Sequence, residues 1–147
     1  MIRSLLMGAV AGARSMTPMA AVTASARDGR LPDGRAHPVL GNSVVATGAR
    51  AMAAAELAGD KMKSAPDRII APGVAARLVS GAIAGAAVAP RGARFVGGAA
   101  GAAAAFVSGY ATFALRMRAL RRYGQIRSGL VEDAIAVSAA RLIARKR

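Results

Sequence analysis

At 147 residues the chain can build one core but not two. The absence of Cys excludes disulfides, thiolate zinc sites and thiol nucleophiles, and a lone His excludes a histidine-based metal site. The formal charge of +14 invites a nucleic-acid partner. A basic binding face, however, comes with a polar surface and interleaved aromatics, whereas here the cations punctuate apolar runs. No nucleic acid is expected as a partner, and anionic lipid head groups fit the layout better.

Hydrophobic residues make up 54% of the chain, yet nearly half of them are Ala, with no Trp, two Tyr and three Phe. A globule in water with so few large side chains buries little apolar area, at about 25 cal/mol per Å². In lipid, by contrast, helices associate by close backbone approach at small residues, so Ala and Gly are an asset there. The expectation is an all-α fold: one membrane domain over residues 1–147, a small transmembrane bundle of four spans plus a short fifth helix that spans or re-enters.

The first helix is expected over 2–25. Arg14 interrupts its apolar run and argues against a cleaved leader, despite Arg3 and the Ala24-Ser25-Ala26 pattern. Gly8 and Gly12, four apart, offer a packing face. Arg14-Ser15-Met16-Thr17-Pro18 follows, and a helical proline cannot donate to the carbonyl of Arg14, four residues back. An arginine at mid-depth costs about 3 kcal/mol on an insertion scale, so Arg14 needs a partner or a watery cavity.

Residues 26–38 read as a loop of Asp-Gly-Arg turns and prolines, with His37 as a surface histidine. A second helix spans about 39–59. Glu56 and Asp60 share a face near its end, either as an interfacial carboxylate pair or with Glu56 as counter-ion of Arg14. Asp60-Lys61 leaves the apolar stretch, and Ser64-Ala65-Pro66-Asp67 reads as a capped turn. The third helix, about 73–89, carries Gly81 and Gly85, with Arg77 required to snorkel or pair. Pro90-Arg91-Gly92 then makes a tight turn.

The fourth helix, about 93–120, contains Phe95–Leu115 without a formal charge. That run extends about 32 Å as a helix, enough to cross a hydrocarbon core of about 30 Å. It adds Gly97 and Gly101 as a third packing pair, and the arginines from Arg116 to Arg127 read as a head-group anchor. The last helix, about 130–144, carries Glu132 and Asp133 in or just beyond its first turn. Carboxylates there suit the helix dipole, or they join an ionic cluster.

Three blocks occur in order: Gly12-Ala13-Arg14-Ser15-Met16-Thr17-Pro18, Glu56-Leu57-Ala58-Gly59-Asp60-Lys61 with Pro66-Asp67, and Gly129-Leu130-Val131-Glu132-Asp133. Together they resemble the signature blocks of a bacterial integral-membrane family catalogued as domain of unknown function 4126. The family's asparagine-proline before the last block is Arg127-Ser128 here. The resemblance implies a multi-pass protein of the bacterial inner membrane and no established activity.

The residues themselves show no nucleophile–base pair and no metal spacing, so neither enzymatic activity nor a cofactor is expected. The candidate polar cluster is Arg14, Ser15, Thr17, Pro18, Glu56, Asp60, Lys61, Glu132 and Asp133. Broken helices and mid-membrane charges are how carriers build sites, which points to a small anionic solute or a lipid head group. The alternative is a structural subunit that meets copies of itself or a larger membrane complex through its small-residue faces.

Overall fold

A computed structural model describes residues 1–32, 37–59, 71–123 and 125–145. All of its regular secondary structure is helical: α1 Ile2–Ala13, α2 Met16–Arg27, α3 Pro38–Gly41, α4 Ser43–Gly59, α5 Ala71–Ala87, α6 Arg94–Tyr123 and α7 Gln125–Ala144.

The expected first helix is two. Arg14 is extended, with φ −142° and ψ 108°, and α2 begins afresh at Met16. Pro18 thereby falls in the first turn of α2, where a missing N–H costs nothing, instead of kinking a continuous helix. The chain also reverses at this point. Arg3 Nη1 donates to the carbonyl of Arg145, 3.2 Å away, while Arg14 pairs with Asp133 twelve residues earlier on α7. Those twelve residues of helix span about 18 Å. Ala24 and Asp28 of α2 line one cavity with Arg141 and Arg145, and Met7 and Val22 share one core cluster with Ala140 and Ala144. Both α1 and α2 therefore flank the same C-terminal half of α7, and the pair forms a hairpin whose tip is Arg14-Ser15.

Local chemistry closes the other elements. After α2, Gly29 adopts φ +64°, with Gly29 N–H donating to Ala26 and Arg30 N–H to Ser25, a Schellman ending in which only glycine avoids strain. Asn42 starts α4 by accepting from Val44 N–H at 2.8 Å. Replacing Asn42 with Ala is expected to destabilise the protein by about 1 kcal/mol in thermal denaturation, the usual effect of a lost N-cap. The expected turn at Pro90 is present: Ala93 N–H donates to Pro90, and Gly92 supplies φ +78°.

Three small-residue faces meet on one stripe of α6. A Cβ added to Gly8 would strike the Gly101 carbonyl, and one on Gly12 would strike Ser108. On α5, a Cβ on Gly81 would lie 2.7 Å from Ala105 Cβ, and one on Gly85 would lie 2.5 Å from the Gly97 carbonyl. Ascending numbers on α1 meet ascending numbers on α6, so these helices are parallel; on α5 they descend, so α5 and α6 are antiparallel. Ser108 Oγ ties the first pair by donating to the Ala9 carbonyl at 3.0 Å.

The remaining boundaries also differ from expectation. The second helix breaks at Asn42 into α3 and α4, the third starts at Ala71 and ends at Ala87, and the fourth runs on to Tyr123. The last helix is not short: α7 has 20 residues, and its C-terminal end reaches Arg3. Among the described residues one helix is long and apolar enough to cross a membrane, Arg94–Ala119 within α6, with mean hydropathy 1.3. Helices α1 and α5 are apolar but shorter.

Large and small side chains are distributed in an unusual way. The buried hydrophobic residues are mostly Ala, joined by Met7, Val10, Val22, Leu31 and Val88. Among the described residues twenty large hydrophobic side chains are exposed, including Phe95, Phe106 at 49% and Val107 at 68%. Soluble proteins leave single apolar residues outside, but not the bulk of their large ones.

Candidate functional site

The hairpin tip gathers side chains from five helices. Arg14, 1% exposed, forms an ion pair with Asp133 and lies 3.8 Å from Glu132, both on α7. Arg116 of α6 meets Glu132 from the other side at 3.4 Å. An alternating chain of charge, Arg14 to the two carboxylates to Arg116, thus ties the hairpin to α6 and α7. Desolvating an arginine this completely costs several kcal/mol per ion unless it is paired, so the carboxylates explain why the tip tolerates it.

Glu56 has a different role from the one expected. Its Oε1 accepts from Ser15 N–H at 2.8 Å and from Ser15 Oγ at 3.0 Å, and its Oε2 accepts from Met16 N–H at 2.8 Å. The carboxylate therefore caps the amino end of α2, where unsatisfied amides and the helix dipole both favour a negative charge. Glu56 is not the counter-ion of Arg14, because the extended backbone at Arg14 turns the first amides of α2 toward α4 while the guanidinium goes to α7.

The reading of Glu132 and Asp133 as first-turn carboxylates is likewise corrected. Helix α7 starts at Gln125, so the pair lies in its third turn, beyond the dipole's reach, and the ionic-cluster reading is the one that holds. Thr17 and Pro18 are buried in the first turn of α2. Asp60 and Lys61 lie outside the described residues, as does the expected turn at 64–67.

Three contributors lie outside the expected polar cluster. Ser80 Oγ of α5 donates to the Ser15 carbonyl, steadying the break from a third direction. Arg77, one turn earlier on the same face of α5, is buried instead of snorkelling, with its stem beside Gly109. Arg116, expected as part of a head-group anchor, is set against Glu132. A signal for the first two existed: Arg77, Ser80, Gly81, Ala84 and Gly85 recur at helical spacing on the face that proves buried.

No family model, no curated protein and no solved structure matches this chain. The chemistry of the site therefore has to be read from its geometry. It holds one carboxylate at a helix amino end and a second acidic pair between two arginines. Among the described residues no group of His, Cys, Asp and Glu is placed to hold a metal ion.

A cavity of about 620 Å³ opens beside the hairpin between α2, α4 and α7. Its inner end is Thr17 and Leu57, each one residue from the Glu56–Met16 contact, and its outer part is lined by Arg50, Arg141, Arg145 and Asp28. A second cavity, between α6 and α7, includes Arg116 and Glu132 in its wall. The polar cluster thus stands between two openings.

Proposed function

We propose that this chain is a multi-pass helical protein of the bacterial inner membrane and acts as a small carrier or channel for an anionic solute or a lipid head group. In this reading α4, α5, α6 and α7 cross the bilayer, and α1 with α2 forms a re-entrant hairpin. Support for lipid immersion comes from the outward-facing large side chains, from the long apolar α6, and from the arginines at both of its ends. The resemblance to the bacterial membrane family points the same way.

The observation that carries the transport reading is the carboxylate of Glu56 on the amides of Ser15 and Met16. A broken helix whose amino end faces the protein interior is a ready anion site. Here an internal anion fills it, beside a buried arginine and at the inner end of a cavity. Such a carboxylate acts as a plug that an incoming anion displaces.

Two measurements test this. The chain should resist alkaline extraction and require detergent; recovery in the soluble fraction would end the membrane reading. In proteoliposomes, wild-type protein is expected to exchange labelled inorganic phosphate faster than empty vesicles do. Glu56→Gln, which keeps the shape but removes the charge, should change that rate by about tenfold, the equivalent of about 1.4 kcal/mol. Equal, background rates for both proteins would sink the transport reading.

A structural role is the second reading. It is favoured by the completeness of the Arg14–Asp133/Glu132–Arg116 chain, which resembles a lock between helices more than a loose gate.

A further inference from the structure

We propose that the cavity between α2, α4 and α7 is a binding site for a phosphate-bearing anion, with Arg50, Arg141 and Arg145 as its cationic wall and Thr17 at its inner end. The proposal deepens the anionic-solute reading above by naming the ligand class and the residues that hold it.

The first observation is charge without compensation. Arg141 lies in the last turn of α7 and Arg145 just past its end, and both line the cavity, so the two cations repel each other. Arg50 stands across from them on α4, in the wall of the same cavity. Among the described residues none of the three side chains has an ion-pair partner. The one carboxylate in that wall, Asp28, lies 3.8 Å from Arg30 instead. All three are exposed at the wall of that cavity, and guanidinium forks around one opening match an anion with several oxygens better than a single halide, because each fork can engage two oxygens at once.

The second observation is independent of charge. Thr17 is 4% exposed, and its Oγ1 has no hydrogen-bond partner. A buried hydroxyl left unsatisfied costs free energy that a bound acceptor would restore. Thr17 lines the cavity, but its Oγ1 is enclosed, so an oxygen of a ligand seated there can accept from it once the side chain turns about χ1.

The rest of the wall is short and apolar: Ala20, Ala24, Ala54 and Val137 among others. The volume, about 620 Å³, suits a ligand of drug-like size, with a polar head at the arginines and room for an apolar or glycerol-like portion along the alanines. A lipid phosphodiester and a free phosphate share this chemistry.

The test uses the full chain purified in detergent, with folding of every variant checked by circular dichroism. One arm titrates inorganic phosphate calorimetrically. The other counts phosphatidylglycerol against phosphatidylcholine retained from mixed micelles by native mass spectrometry. The variants are Arg50→Gln with Arg141→Gln, Thr17→Val, and Arg118→Gln as an exposed control on α6.

Binding in at least one arm is expected, weakened tenfold or more (roughly) by the double variant, about threefold or more by Thr17→Val, and left unchanged by Arg118→Gln. Selective retention of phosphatidylglycerol alone assigns the site to a lipid head group, and phosphate binding assigns it to a solute. Failure of both arms, or an equal loss in Arg118→Gln, overturns the proposal. Neither arm depends on transport, so a failed site and a failed carrier reading give different results.

Discussion

Replacing Arg14 with Ala is expected to cost about 3–5 kcal/mol, the usual penalty for breaking a buried ion pair by removing one member. Arg14 is almost fully enclosed, and its removal takes the guanidinium away from Asp133 and Glu132 inside the bundle. The loss should appear as a lowered midpoint in thermal unfolding in detergent and as a reduced monodisperse fraction. Removing both sides of the pair, Arg14→Leu with Asp133→Leu, should recover most of it, because an apolar pair of similar volume no longer needs desolvated charge. Exchanging Arg14 with Glu56 should not help, since Glu56 serves the amides of α2. An Arg14→Ala protein within about 1 kcal/mol of wild type would contradict the assignment of Asp133 as its principal partner.

Gly101→Leu is expected to be the most damaging single change outside the polar cluster. A side chain there points at the Gly81 carbonyl and, at 3.1 Å, at Gly85 Cα, while the Gly101 carbonyl itself receives the backbone of Gly8. These neighbours are main chain and cannot rotate away, so the helices have to separate. Overpacked cores usually lose about 1–3 kcal/mol, and here the obstacle is the main chain of α5, so the upper end applies. Gly48→Leu is the control: nothing lies within 4 Å of its added Cβ, and a better helix former should leave stability unchanged or slightly improved. Size-exclusion profiles of the two variants check this directly. A Gly101→Leu protein that elutes and melts like wild type would show that α5 and α6 do not pack through this stripe.

The parts of this architecture that were legible in the sequence are those set by local chemistry. Helical content followed from the Ala-rich apolar runs, and the packing faces followed from glycines four apart, because no other residue permits such close backbone approach. The loop after Arg27 and the turn at Gly92 were marked by Asp-Gly and Pro-x-Gly. What stayed hidden depended on the chain's path. Arg14-Ser15 looked like the middle of a kinked helix, because nothing in five residues distinguishes a kink from a reversal. Once the chain turned back, the amides of α2 faced α4, and Glu56 became a cap instead of a counter-ion. The acidic pair on α7 was misplaced for a simpler reason. Residues 125–129 carry no apolar period strong enough to show that the helix had already begun.

The hydrogen bond between Arg3 and the Arg145 carbonyl has a topological corollary. If, as proposed, the chain spans a bilayer with α1 and α2 dipping in and returning, Arg3 and Arg145 face one compartment, so the number of true crossings is even. Reporters fused at the two positions should then light up together or stay dark together, whichever way the molecule is inserted.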